Sequence, residues 1–313
     1  MQIIRHDGGL RQPSVVAAFA LTLLIAVLVP LERTALGTAL QWTDWPRLAA
    51  ALLVASAAAL YLFVLLRLPT RRQMQLVWLS LLILFLAFFY SFQLNAGFII
   101  EKLPFLISDG MVTTLYISAM AIAIAFVLAI VGALAKLSGN GIAMGVAAFY
   151  TSYFRGIPLL MQLFLIYVGL PQIGFVIDPI PAGVIALSTC YGAYMTEIFR
   201  AGIESIPRGQ WEAAEALGLS RAMTLRKVIM PQAMRVIIPP TSNQFIAMLK
   251  DSSLVSVVGV WDLMFVARAQ GRADFRVLEM LITASLIYWA LSIVLELAQT
   301  RIERHFAASD RSR

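Results

Sequence analysis

The chain has 313 residues, of which 60% are hydrophobic and 13% charged, and its mean hydropathy is +0.84. Soluble domains are nearer half apolar and a quarter charged, so this composition excludes one and fits a polytopic helical membrane protein. The net charge of +7 is spread along the chain with no concentrated basic patch for nucleic acid, and one cysteine, Cys190, excludes an intrachain disulfide.

Eight apolar segments follow in chain order, at about 14–31, 48–66, 75–95, 111–136, 143–170, 181–200, 233–258 and 277–299. Each approaches the roughly 20 apolar residues that a bilayer requires. The first follows Arg5 and Arg11 and resembles a signal peptide. It is read as an uncleaved anchor, because no clear A-x-A site follows and more spans do. Trp42, Trp45 and Trp78 fall near expected span ends, where indoles favour the interface.

Basic residues set the orientation. With the N-terminus inside, the inner loops carry Arg67, Arg71, Arg72, Lys136, Arg208, Arg221, Arg226, Lys227, Arg301 and Arg304. The outer loops carry Glu32, Asp44, Glu101, Asp109 and Asp178. Both termini are therefore expected in the cytoplasm. One loop dissents: residues 262–276 lie outside yet hold Arg268, Arg272 and Arg276, only partly offset by Asp262 and Asp274.

The fourth segment repeats alanine at 121, 125, 129 and 133, a stripe that lets another helix approach closely. In the fifth, Arg155-Gly156-Ile157-Pro158 is expected to kink the helix near its start, mainly as a matter of shape. In the sixth, Cys190, Tyr191, Tyr194 and Glu197 share a helix face. Glu197 is either a transport-path carboxylate or half of a structural i, i+3 pair with Arg200.

A polar loop interrupts the apolar pattern between the sixth and seventh segments. Gln210 to Leu217 is a good helix former, and Gly218 stands where such a helix ends in the left-handed conformation. Arg221 to Met230 reads as a short amphipathic helix that Pro231 stops. The seventh segment is expected to break early at Pro239-Pro240. It carries two polar faces, Asn243 with Lys250 and Gln244 with Asp251, followed by Ser252 and Ser253. Such faces need protein or a watery cavity against them. Tyr194, Glu197, Asn243, Gln244, Lys250, Asp251 and Ser252 are thus the candidate substrate path. On the favoured Asn243 face Lys250 could take a negative group of a ligand, and Glu197, across the path, a positive one.

No metal site of usual His/Cys spacing exists, since His6 and His305 lie near opposite termini. None of the four lysines follows a glycine, so no phosphate-binding loop is present; no cofactor and no catalytic residue are expected.

The spacing E-A-A at 212–214, Gly218 and Val228-Ile229-Met230-Pro231 resembles the E-A-A-x-x-x-G-x(9)-I-x-L-P signature of ABC importer permeases, with Val for Ile and Met for Leu. "FRGIPLLMQLFLIYVGLP" (154–171), "AYMTEIFRAGIESIPRGQWEAAEALG" (193–218), "LKDSSLVSVVGVWDL" (249–263) and, loosely, "AQGRADFRVLE" (269–279) are similar to segments of the histidine/glutamine-type polar amino-acid permeases. The resemblance runs from about Asp109 to Ile302.

The resemblance implies an all-α, five-span type I importer core over residues 101–313, with three extra spans in an accessory segment, 1–100. It makes 204–231 the loop that docks on a separate ATPase, with Gln210, Glu212, Ala213, Ala214, Gly218 and Pro231 as coupling residues. The implied partners are an ABC ATPase dimer, a second permease chain (identical or paralogous) and an external amino-acid-binding protein, to which the basic 262–276 loop is available. The implied place is a bacterial inner membrane. Two other readings stand beside it: an ion-gradient-driven transporter, which gives the loop no use, and a purely structural membrane protein. Opines and other amino-acid derivatives are alternative cargo.

Overall fold

The structure is a computed structural model that describes residues 45–90 and 94–308; the expected first span, Trp42 and the other expectations for residues 1–44 lie outside them. The chain divides into two compact units, residues 1–94 and 95–313.

In the first unit, α1 (Trp45–Arg67) and α2 (Thr70–Tyr90) form a helical hairpin. Leu68-Pro69 makes the turn, and the Gln73 amide donates to the Leu68 carbonyl at 2.9 Å. Of the side chains described here, Leu65 alone is buried, while Leu53, Leu60, Trp78, Leu81 and Leu84 stand open. Helices apolar all round, with so little buried against one another, suit lipid rather than water.

The second unit is a helical bundle. Its first member, α3, runs Ala96–Leu137. Asn95 caps it by accepting from the Phe98 N–H at 3.0 Å. Pro104 is tolerated within it, and the turn at Leu106–Met111 widens to a π turn. The alanine stripe is realised: Ala121, Ala125, Ala129 and Ala133 are all buried, against α6 (Pro179–Glu204). Gly132 lies so close to Thr196 that a Cβ there would sit 2.5 Å from the threonine Oγ1. Small side chains bring the two backbones together, and dispersion over that contact substitutes for the hydrophobic effect inside a bilayer.

The segment expected as one span at 143–170 is two helices, α4 (Gly141–Gly156) and α5 (Leu159–Ile173), meeting at 106°. The bend falls at residue 157, in the middle of the segment rather than near its start. Ile157 is extended (φ −111°, ψ 137°), as a residue before proline prefers. The break strands carbonyls, and the buried Gln162 amide donates to two of them, Phe154 and Ile157, each at 2.8 Å.

Two expected proline breaks do not occur. After α7 (Arg208–Ala216), one rod, α8, runs Arg221–Val258. Pro231 follows a π turn at Leu225–Ile229 that absorbs its missing N–H, so the rod is not interrupted. Pro239 and Pro240 lie within continuous helix, Met230–Asp251. Each forfeits a helix hydrogen bond, but packing holds the rod: Ile237 is buried against Gly202 of α6. The real break follows a 3-10 turn, Ser252–Val258, at Gly259 (φ 86°), where the chain bends 51° into α9 (Leu263–Ala273). The buried carboxylate of Asp262 starts α9, accepting from Met264 and Phe265 N–H at 3.2 and 3.0 Å. The last helix, α10, is Val277–Ala308. Among the described residues, α3 and Val277–Arg304 are each long and apolar enough to cross a membrane, and α4 with α5 and α8 with α9 are so as bent pairs.

Candidate functional site

The α4–α5 bend opens a cavity of about 410 Å3, lined by Arg155 to Leu159 from the bend, Cys190, Tyr191 and Tyr194 from α6, and Gln244 and Asp251 from α8. The Tyr191 hydroxyl donates to Asp251 Oδ2 at 2.7 Å. The Arg155 guanidinium lies over the Tyr194 ring, 5.4 Å from its centre. One cation and one anion thus face a shared space, with phenol and amide groups between them.

Glu197 lies one turn along α6 from Tyr194, within a cluster of cations. It accepts from Lys136 and, at 3.0 Å, from Arg200, while Arg155 is 3.7 Å away. Lys136 also donates to Thr151 Oγ1 at 2.7 Å, and Arg200 to Glu204 at 2.5 Å. A carboxylate already facing three cations is a tie between α3, α4 and α6, and it holds the rear of Arg155.

The structure divides the sequence candidates. Tyr194, Gln244 and Asp251 share the cavity; Asn243 and Lys250 do not. Those two line a separate groove with Glu296, Gln299 and Thr300 of α10, where Asn243 Oδ1 accepts from Gln299 at 3.0 Å. Glu197 is therefore not across a path from the Asn243 face, and that pairing is corrected. Adjacent helix positions differ by about 100°, and burial of Ile237, Ile246, Met248 and Leu249 fixes which face of α8 turns to α6. Ser252 is buried and donates to the Leu249 carbonyl at 2.7 Å, so it lines neither space. Sequence reasoning gave Arg155 a role mainly in shape, and placed Tyr191 on the polar face of α6 without counting it in the candidate path. A cation beside Gly-x-Pro was the available signal, but periodicity does not report that a bend turns it inward.

The polar loop is a rigid knob. In α7, Glu212 and Ala213 are exposed, whereas Ala214 is buried and Trp211 packs on the core beside Leu225 and Val228. Gly218 has φ 73°; its N–H donates to Glu215 O at 2.8 Å and the Leu219 N–H to Ala214 O at 3.1 Å. This double bond closes a helix through a left-handed residue. Gln232 ties the base, donating to Gln210 Oε1 at 3.0 Å and Val228 O at 2.8 Å. Pro231 lies exposed on the α8 rod.

Residues 125–308, more than half of the chain, match the family described as binding-protein-dependent transport system inner membrane component. The chain belongs to that family. It is the multi-pass permease of an ABC importer, not its ATPase subunit. This permease is 41% identical to the arginine transport system permease protein ArtQ of Bacillus subtilis (strain 168), over 67% of this chain and 96% of ArtQ. It is also 41% identical to the L-cystine transport system permease protein TcyB of the same organism, over 64% of this chain and 86% of TcyB. A crystal structure of an amino acid ABC transporter with histidines matches 67% of the permease and 98% of its own chain, at 38% identity and a TM-score of 0.64. The MetNI methionine transporter in an inward-facing conformation, at 22% identity and a TM-score of 0.57, shares the fold. Membership of a binding-protein-dependent ABC system implies an ATPase and a binding protein as partners.

Proposed function

We propose that the permease carries polar amino acids and holds them in the Arg155–Asp251 cavity. The observation that carries this reading is the placing of one guanidinium and one carboxylate on a shared cavity of about 410 Å3. A zwitterion presents the complementary pair, its carboxylate to Arg155 and its ammonium to Asp251 and the Tyr191 hydroxyl. Gln244 orients it by hydrogen bonding. Charges of both signs are costly to bury unless matched, so the cavity favours a ligand that brings both. Relatives named for arginine and cystine transport agree with that class.

Residues 95–313 form a five-span core, with the bent pairs α4–α5 and α8–α9 each counted as one span, and residues 1–94 add about three spans as an accessory segment. Both termini face the cytoplasm, as does α7. One chain supplies one docking knob, while ABC ATPases work as pairs, so a second permease chain completes the transporter. ATP-driven closure of the ATPases moves the knobs and rocks the bundle. Glu212, Ala213 and the turn at Gly218 form the docking surface, and Gln210, Ala214 and Pro231 hold it in place.

The test is uptake by the complex reconstituted with its ATPase and binding protein. Asp251→Asn keeps the volume and removes the charge, and loss of one charged hydrogen bond of about 2 kcal/mol lowers uptake roughly 30-fold. Co-purification of the ATPase confirms assembly. Uptake at the normal rate and apparent affinity in an assembled Asp251→Asn complex rules the cavity out.

A further inference from the structure

Two arginines of α9 form no salt bridge among the described residues, although the charge of one of them, Arg268, acts on the buried Asp262 carboxylate. Arg268 and Arg272, one turn apart, line a cavity of about 360 Å3 with Ser256 and Phe265. Arg268 gives one long hydrogen bond, 3.3 Å, to the Ser256 carbonyl, and its Nε is buried with no partner. The nearby acids have closer partners: Asp262 caps α9, Asp274 pairs with Lys102 at 3.3 Å, and Glu279 pairs with Arg276 at 3.0 Å.

Beyond Arg272 the chain closes the helix in an unusual way. The Arg276 N–H donates to the Gly271 carbonyl at 2.7 Å, and the left-handed residue that makes this turn is Phe275, at φ 57°. Among the described residues it is the one non-glycine with positive φ, and its side chain is 96% exposed. Glycine or asparagine would fit the turn with less strain. Strain retained for a side chain that packs on nothing in its own chain points to a use outside it.

We propose that the α9 segment is the docking surface for the solute-binding protein: Arg268 and Arg272 receive carboxylates of that protein, and Phe275 enters an apolar recess on it. The proposal rests on the outward placement of residues 262–276. Positive charge is disfavoured in outer loops, and a partner bearing carboxylates supplies the missing countercharge. The position also suits delivery. The 3-10 turn Ser252–Val258 starts beside Asp251 of the substrate cavity and supplies Ser256 to the arginine cavity. The recess at the arginines admits a protruding acidic side chain, which favours a protein over an anionic lipid surface.

The orientation is tested first. A Phe275→Cys, Cys190→Ser chain is expected to react with an impermeant thiol reagent in intact cells that lack the binding protein. Protection there overturns the outward placement and this proposal with it, while leaving the substrate cavity untouched. A photoreactive phenylalanine analogue at position 275 then reports the neighbour in the complete transporter in lipid nanodiscs with its binding protein. An adduct with the binding protein is expected; an adduct only with lipid or with the second permease chain overturns the proposal. Arg268→Gln with Arg272→Gln, and separately Phe275→Asn, are each expected to raise the half-saturating concentration of binding protein for ATPase stimulation about tenfold. The arginine variant also flattens its dependence on salt. Unchanged half-saturation in both, with the ATPase co-purifying normally, overturns the docking role.

Discussion

Gln162 shows how a single side chain can make a site possible. A proline bend inside a bilayer leaves carbonyls with no water to take their place, and each stranded group costs several kcal/mol. One amide donates to both the Phe154 and Ile157 carbonyls from a buried position. Arg155 lies between those two residues, so the bond that stabilises the bend also aims the guanidinium. Gln162→Leu removes both donations at nearly constant volume and is expected to destabilise the chain by about 2–4 kcal/mol. Thermal unfolding of the detergent-solubilised complex measures that loss, and the apparent KM for uptake in the surviving fraction is expected to rise. Gln162→Glu is expected to do the same, because a carboxylate has no N–H to give. Glu197 acts at this scale in a similar way, as the tie behind Arg155.

At the scale of elements, α7 is a short helix made rigid by its ends. Its inner face, Trp211 and Ala214, is packed, and its outer face, Glu212 and Ala213, is open. Leu217 is 79% exposed at its end, a large apolar group set out beside a charged one. An exposed apolar group of this kind supports the proposed docking of the ATPase on this face. Glu212→Lys changes only its charge, so insertion and expression are expected to be normal while uptake is lost and ATPase co-purification weakens. Gly218→Pro cannot adopt φ 73° and is expected to abolish uptake as well, by misdirecting the turn. Gly218→Ala is the milder probe, at a cost of about 1 kcal/mol, and is expected to reduce uptake without abolishing it. Uptake assays at matched expression separate the three, and wild-type uptake in Glu212→Lys rules out this face as the docking surface.

At the scale of the whole molecule, the basic residues are the ground for the proposed orientation of the permease. A cysteine at position 178, between α5 and α6, is expected to react with an impermeant thiol reagent in intact cells. Cysteines at positions 71 and 215 are expected to react only after permeabilisation, all three in a Cys190→Ser background. The reverse pattern would invert the map and move α7 away from any cytoplasmic ATPase.

Composition and spacing alone determined the all-helical membrane fold, the alanine contact on α3, the Gly218 turn and the family. Each is set by local chemistry: hydropathy, a four-residue repeat, a backbone angle that glycine tolerates and a timed loop. Tertiary structure decided the rest, for reasons that local sequence does not contain. Pro231, Pro239 and Pro240 read as breaks, yet a π turn and the Ile237–Gly202 contact carry the helix through them. Pro158 reads as a kink near the start of one span, yet it turns the chain by 106° in the middle of the segment. The sequence reading favours Asn243 over its neighbour Gln244, yet it is Gln244 that lines the cavity. Which of them meets α6 depends on the rotation of α8, and that is fixed by the burial of Ile237, Ile246, Met248 and Leu249 rather than by either residue.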